Sequence, residues 1–129
     1  MNIPTDLRYS KSHEWVREEG AVATVGITDF AQHELGDIVF VEAPALGASV
    51  SAETQMGSVE SVKAVSDLNS PVSGKVAEVN AELADHPEHL NNDPYGQGWI
   101  VKVTLSAQGA PAGLMDADAY AKYIAESGH

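Results

Sequence analysis

The sequence contains no cysteine. That excludes a disulfide framework, a thiolate metal cluster and a cysteine nucleophile together. Positive charge is also scarce: 7 lysines and arginines stand against 19 aspartates and glutamates, a formal net charge of −12 with the five histidines neutral. So acidic a surface repels phosphate backbones and anionic lipids, which argues against nucleic acid or membrane as a partner. No apolar run approaches the ~20 residues of a bilayer span. The start, Met1-Asn2-Ile3-Pro4-Thr5-Asp6, has neither the basic nor the apolar segment of a secretory signal. What is left is 129 residues with 43% hydrophobic content, enough for a packed core. The expectation is one soluble, cytoplasmic, monomeric domain spanning residues 1–129.

The apolar residues fall into short strands with a few helical interruptions. Trp15-Val16-Arg17 and Ala21 to Ile27 flank Glu18-Glu19-Gly20, a hairpin pattern with glycine at the turn. Thr28-Asp29 offers an N-cap, Phe30, Ala31, Glu34 and Leu35 follow at helical spacing, and Gly36 sits where a helix ends. Ile38 to Glu42, Val50, Met56 to Val59, Ala64 to Leu68, Val72, Val76 to Val79 and Trp99 to Leu105 predict further strands. Strands this short and this evenly punctuated suggest a sandwich or barrel. Ala107 to Gly113 is rich in small and helix-breaking residues and reads as a linker. Beyond it, Met115, Ala119, Tyr120, Tyr123 and Ile124 predict one apolar side of a C-terminal helix that covers the sheet, with Asp116 and Asp118 in its first turn.

A faint repeat frames the middle of the chain. Pro44-Ala45-Leu46-Gly47 is echoed by Pro71-Val72-Ser73-Gly74, and the segment from Met56 to Leu68 lies between the two arms. Two such arms around a central hairpin suggest a pseudo-twofold sandwich. Near the middle of that segment stands Lys63, the only lysine or arginine from Glu18 to Gly74. A surface lysine that merely keeps a strand end soluble is the plain explanation. The alternative is a lysine held out on a tight turn for covalent attachment, its amine forming a stable amide on a long tether.

Gly47, Val50, Met56, Val59, Lys63, Ala64, Val65, Leu68, Gly74 and Val76 fall at the spacings of the lipoyl-attachment signature. Glu60-Ser61-Val62-Lys63-Ala64 resembles the form of it found in the glycine cleavage system H-protein family. The resemblance continues through Tyr9-Ser10-Lys11-Ser12-His13-Glu14-Trp15, Val25-Gly26-Ile27-Thr28, Leu35-Gly36-Asp37, Val39-Phe40-Val41-Glu42, Ser70-Pro71-Val72-Ser73-Gly74, Asn92-Asp93-Pro94-Tyr95-Gly96 and Gly98-Trp99. It covers the chain up to Leu105, departs over Ala107 to Gly113, and resumes at Met115-Asp116-Ala117.

This resemblance implies a mainly β fold, a lipoyl-type barrel-sandwich hybrid of two antiparallel sheets with short added helices. It implies a carrier rather than an enzyme, with lipoic acid in amide linkage to Lys63. The arm would collect an aminomethyl group at the pyridoxal-phosphate P protein and deliver it to the T protein. The flavin L protein would then reoxidise the dithiol, and a lipoate ligase or a lipoyl or octanoyl transferase would supply the cofactor. The family resemblance also points to Ser12, Glu14 and Asp67 as the polar lining of a cleft for the loaded arm, with Glu14 as charge partner. An amine paired with a carboxylate stays protonated, which slows loss of the carried group.

Other readings fit less well. A biotin lysine usually sits between methionines, whereas Val62 and Ala64 flank Lys63. The lipoyl domain of a 2-oxoacid dehydrogenase lacks the Ser10 to Trp15 opening, and an H-like protein that relays lipoyl groups stays within the same family. Asp85-His86-Pro87-Glu88-His89 gathers two imidazoles and two carboxylates, raising a metal-dependent hydrolase. Its histidines stand three apart across a proline, which is not a zinc-protease spacing, so no metal site is expected.

Overall fold

The computed structural model describes residues 2–106 and 113–126. Along them run β1 (Arg8–Tyr9), β2 (Glu14–Glu19), β3 (Val22–Ile27), α1 (Asp29–Leu35), β4 (Ile38–Glu42), β5 (Ser49–Val50), β6 (Thr54–Ser61), β7 (Val65–Ser70) and β8 (Gly74–Val79). A single 3₁₀ turn (Ala81–Ala84), α2 (His89–Asn92), β9 (Val101–Leu105) and α3 (Ala117–Glu126) complete the order. Two antiparallel sheets result. One has six strands in the order β1-β2-β3-β9-β8-β5, and the other has three in the order β4-β6-β7.

Local chemistry sets the element ends. Gly20, at φ 64°, makes the turn between β2 and β3, whose register pairs Glu19 with Val22. Thr28 caps α1 by accepting a hydrogen bond from the Ala31 amide at 3.1 Å. Gly36, at φ 80°, closes the same helix with its N–H on the Gln32 carbonyl. The strands that follow the two repeated arms pair with each other: Ser49 with Lys75 and Val50 with Gly74, joining β5 to β8. The hairpin of β6 and β7 lies between them in the chain, with Lys63 at its tip.

The two sheets enclose a core of Val16, Val25, Ile27, Ile38, Val59, Leu68, Val76, Val101 and Val103, all nearly inaccessible to water. Burying such side chains is the main drive for the sandwich. A second cluster forms where α3 covers β1. Tyr9 and Tyr120 stack there with ring centroids 4.7 Å apart, against Trp15, Phe30 and Ile124. The Tyr120 hydroxyl lies 2.7 Å from Thr28 Oγ1 and 2.9 Å from His13 Nδ1, so the C-terminal helix is also bonded to the cap of α1.

Three sequence expectations need adjustment. Val72 is fully buried but lies in a turn between β7 and β8, held by Ser70 Oγ, which donates to the Val72 carbonyl at 2.6 Å. A buried apolar residue next to proline reads as strand by pattern alone. In α3 the inward face is Ala117, Tyr120 and Ile124, while Ala119 is exposed. Asp116 stands one step earlier than expected, as a cap accepting the Ala119 amide at 2.8 Å. The linker expected over 107–113 lies outside the described residues except for Gly113, an exposed turn residue.

Because Tyr120 fills the second cluster and satisfies two polar partners, Tyr120→Ala should lower the unfolding free energy by about 3 kcal/mol or more. Urea unfolding followed by fluorescence measures this, and a loss below about 1 kcal/mol would show that α3 is not integral to the fold.

Candidate functional site

Lys63 sits on a turn that its own sequence closes. Ser61 donates its amide to the Ala64 carbonyl at 2.8 Å, and Ser61 Oγ accepts from the amides of Lys63 (3.3 Å) and Ala64 (3.1 Å). Buried Ser61 is therefore the hub of the turn, as serine is where a side-chain oxygen replaces a backbone partner. The Val62 amide donates to the Asp37 carbonyl at 3.0 Å, which fastens the turn to the loop between α1 and β4. Val62, Lys63 and Ala64 are exposed. Lys63 Nζ makes no ion pair or hydrogen bond to the described residues.

On the outer face of the small sheet, register places Phe40 opposite Glu60 and Glu60 opposite Val65. Phe40 and Val65 are both more than half exposed, so an apolar strip with an acidic centre adjoins the lysine. Strand alternation then puts Val65, Asp67 and Asn69 on one face of β7, running away from the tip.

That track leads to a cleft of about 390 Å³ lined by Ser10, Ser12, Glu53, Asn69, Pro71 and Leu114, among others. Glu14 lies just beneath it, at 1% exposure. Ser10 Oγ and Ser12 Oγ both donate to its Oε1, at 2.6 and 2.5 Å, and the Asn69 amide donates to its Oε2 at 3.3 Å. Burial pushes the Glu14 carboxyl up to about 7, and these hydrogen bonds only partly offset the loss of water. Near neutral pH the site thus holds a carboxyl that burial keeps partly protonated, below a cleft whose lining also includes Lys11, and it can accept a protonated amine.

Of the predicted cleft residues, Ser12 and Glu14 come together. Asp67 does not touch Glu14; it is exposed opposite Ser58, two residues along β7 from the Asn69 amide that does. Ser10 and Asn69 are the contributions that sequence reasoning missed. The alternation Ser10-x-Ser12-x-Glu14 was a usable signal for Ser10, whereas Asn69 acts through its backbone and leaves no signal in residue type. At the histidine cluster, His86 Nδ1 lies 3.0 Å from Glu88 Oε2, and the His86 and His89 rings are 5.3 Å apart. Among the described residues, no three His, Asp or Glu side chains are placed to hold a metal ion.

The chain matches the family model described as glycine cleavage H-protein over residues 7–127. It is 56% identical over 124 residues to the glycine cleavage system H protein of Rubrobacter xylanophilus, covering 96% of each. It is 58% identical over 121 residues to the mitochondrial H protein 2 of Arabidopsis thaliana, covering 94% of this chain and 78% of the relative. The chain belongs to the glycine cleavage H-protein family. The solved H protein of Mycobacterium marinum has the same fold, with TM-score 0.85, 40% identity, and coverage of 98% of this chain and 100% of the other.

As an H protein, the chain is a lipoic acid carrier and not a catalyst, with a lipoyl-type fold. It serves the P, T and L proteins of glycine cleavage and receives its cofactor from a lipoate-attaching enzyme. The residues suit that cofactor: an unpaired primary amine stands on a rigid, exposed turn, and a polar cleft with a buried carboxyl lies along the adjoining strand. Among the described residues, no helix is long and apolar enough to cross a membrane.

The raised Glu14 pKa carries a stability signature. The unfolded carboxyl titrates near 4.5 and the folded one near 7, so between these values the folded state holds the extra proton. Stability linked to Glu14 is therefore present below pH 4.5 and is lost as pH rises through 7, by roughly 3–4 kcal/mol at ~1.4 kcal/mol per pH unit. Glu14→Gln should flatten this slope between pH 5 and 8 in urea unfolding. Parallel slopes in the two proteins would contradict the assignment.

Proposed function

We propose that Lys63 is the residue that bears lipoic acid, through an amide at Nζ, and that Glu14 holds the amine the arm brings to the cleft. The observation that carries this reading is the turn itself. It presents the only lysine or arginine between Glu18 and Gly74 on a platform fixed by Ser61 and by the Asp37 carbonyl. A free amine on such a platform is accessible to an attaching enzyme without unfolding of the hairpin. Glu60, Ser61, Val62 and Ala64 serve the attachment as its immediate frame, Ser61 by shaping the turn and Glu60 by charge.

When bound, lipoic acid supplies a dithiolane that is reduced as it takes up the aminomethyl group and is later reoxidised. The chain's own residues do the rest. Val65, Asp67 and Asn69 lie along β7 between tip and cleft, so Asp67 offers a carboxylate beside the path of a cation. Glu14, given an ammonium partner, releases its proton, because the opposite charge favours its ionised form. Ser10, Ser12 and the Asn69 amide already aim three donors at the resulting carboxylate. A neutralised pair out of water keeps the amine protonated, and a protonated amine has no lone pair to expel the sulfur that holds its carbon. In this reading residues 1–129 act as one monomeric carrier domain in the cytoplasm, with every functional group drawn from one chain.

Two outcomes follow. Lys63→Arg keeps the charge and should fold normally, yet gain no lipoyl mass on incubation with a lipoate ligase; modification at Lys11, Lys75, Lys102 or Lys122 would overturn the assignment. Glu14→Ala should be lipoylated normally but, once loaded and without T protein, release formaldehyde and ammonia faster than the parent, by roughly tenfold if one charged hydrogen-bond partner is lost. Equal release rates would remove Glu14 from the protective role.

A further inference from the structure

The Lys63 turn makes one backbone hydrogen bond outside its own hairpin in this region, from the Val62 amide to the Asp37 carbonyl at 3.0 Å. Where that carbonyl points depends on the short loop Gly36-Asp37-Ile38, and one side chain holds both ends of this loop. Asn91, on α2, donates through Nδ2 to the Gly36 carbonyl at 2.8 Å, and its Oδ1 accepts from the Ile38 amide at 2.9 Å. Nδ2 also donates to Gln32 Oε1 at 3.0 Å, which ties the clamp back to α1. One carboxamide thus straddles Asp37 and presents its carbonyl as the apex of the loop.

The same loop meets the lysine directly. Gly36 has φ 80°, and a Cβ placed on it would lie 3.2 Å from Lys63 Cε. The absence of a side chain there leaves a bed for the lysine stem. Ile38 also begins β4 and pairs with Ser61, the hub of the turn. Asn91 therefore fixes the floor under Lys63 from a position 28 residues further along the chain.

We infer that Asn91 is a positioning residue for lipoyl attachment: its clamp on Gly36 and Ile38 sets the Asp37 carbonyl that orients the Lys63 turn. Asn91 touches neither the lysine nor the incoming acyl group. It acts by limiting the orientations in which Nζ is offered to the attaching enzyme, where a small misplacement is costly. The carboxamide is the one side chain of this size with both a donor pair and an acceptor. Aspartate can only accept when ionised, and alanine does neither. This inference rests on Lys63 being the attachment site.

The test uses the full-length unlipoylated chain, a lipoate ligase with lipoate and ATP, and two readouts. Asn91→Ala should lower kcat/KM for lipoylation by roughly tenfold, and it should speed amide hydrogen exchange at Val62 beyond the change at core amides. Leu90→Ala is the control: it removes a fully buried side chain from the same helix and leaves the clamp in place. Although less stable, it should be lipoylated within about twofold of the parent rate while folded. Asn91→Asp should recover toward the parent rate as pH falls, because the protonated carboxyl again donates and accepts. Parental lipoylation of Asn91→Ala with unchanged Val62 exchange would overturn the inference, as would equal slowing by Leu90→Ala. Val62 exchange requires no lipoate, so it tests the clamp even if Lys63→Arg showed attachment elsewhere.

Discussion

Near the working surface, the two sheets are joined by a buried carboxyl. Glu14 begins β2 in the large sheet, and its Oε2 takes the Asn69 amide of β7 in the small one. Its other oxygen takes two serine hydroxyls from the turn that precedes β2. Apolar packing would hold the sheets together without it, since the shared core of Val16, Val59, Leu68 and Val76 lies close by. A hydrophobic isostere would even spare the cost of removing a carboxyl from water. A group that costs stability and yet closes a cleft beside an attachment hairpin is best explained by what the cleft receives.

Rigidity and exposure are divided accordingly. The hairpin tip is fixed within itself by Ser61 and from outside by the Asp37 carbonyl, while the lysine head faces solvent. The cleft end is fixed by the stacked tyrosines and by Tyr120, which links α3 to Thr28 and His13. His13 adopts φ 71°, uncommon for a residue other than glycine though histidine is among those that tolerate it, directly between Ser12 and Glu14. The turn it shapes aims both serine hydroxyls at one carboxyl oxygen. Chemistry on the arm is supplied by the cofactor, so what the protein contributes is placement, protonation and exclusion of water.

Much of this was legible in the sequence, for identifiable reasons. Hairpin glycines, the Thr28 cap and the run from Ile38 to Glu42 are local signals, and each element formed where its chemistry required. Lys63 stood out because basic residues are so few around it. Val39 and Phe40 were less readable: a continuous apolar run suggests burial, but a register shift between Ile38 and Phe40 leaves both on the surface. Contacts made by backbone groups were invisible, the Asn69 amide and the Asp37 carbonyl above all. Asn91 was equally hidden, because an asparagine in a short helix looks like any polar surface residue until its two partners are seen on either side of Asp37.

Above all, Glu14 is a buried carboxyl that waits for a cation. A carbon-13 NMR titration of the Glu14 carboxyl, recorded in the lipoylated protein before and after loading with the aminomethyl group, tests this directly. Before loading, the midpoint should lie near 7, well above the ordinary value of 4.5. Loading should move it down, toward or below the ordinary carboxylate range, as an ammonium arrives beside it. A midpoint near 4.5 in the resting protein, or one that loading leaves in place, would contradict the account.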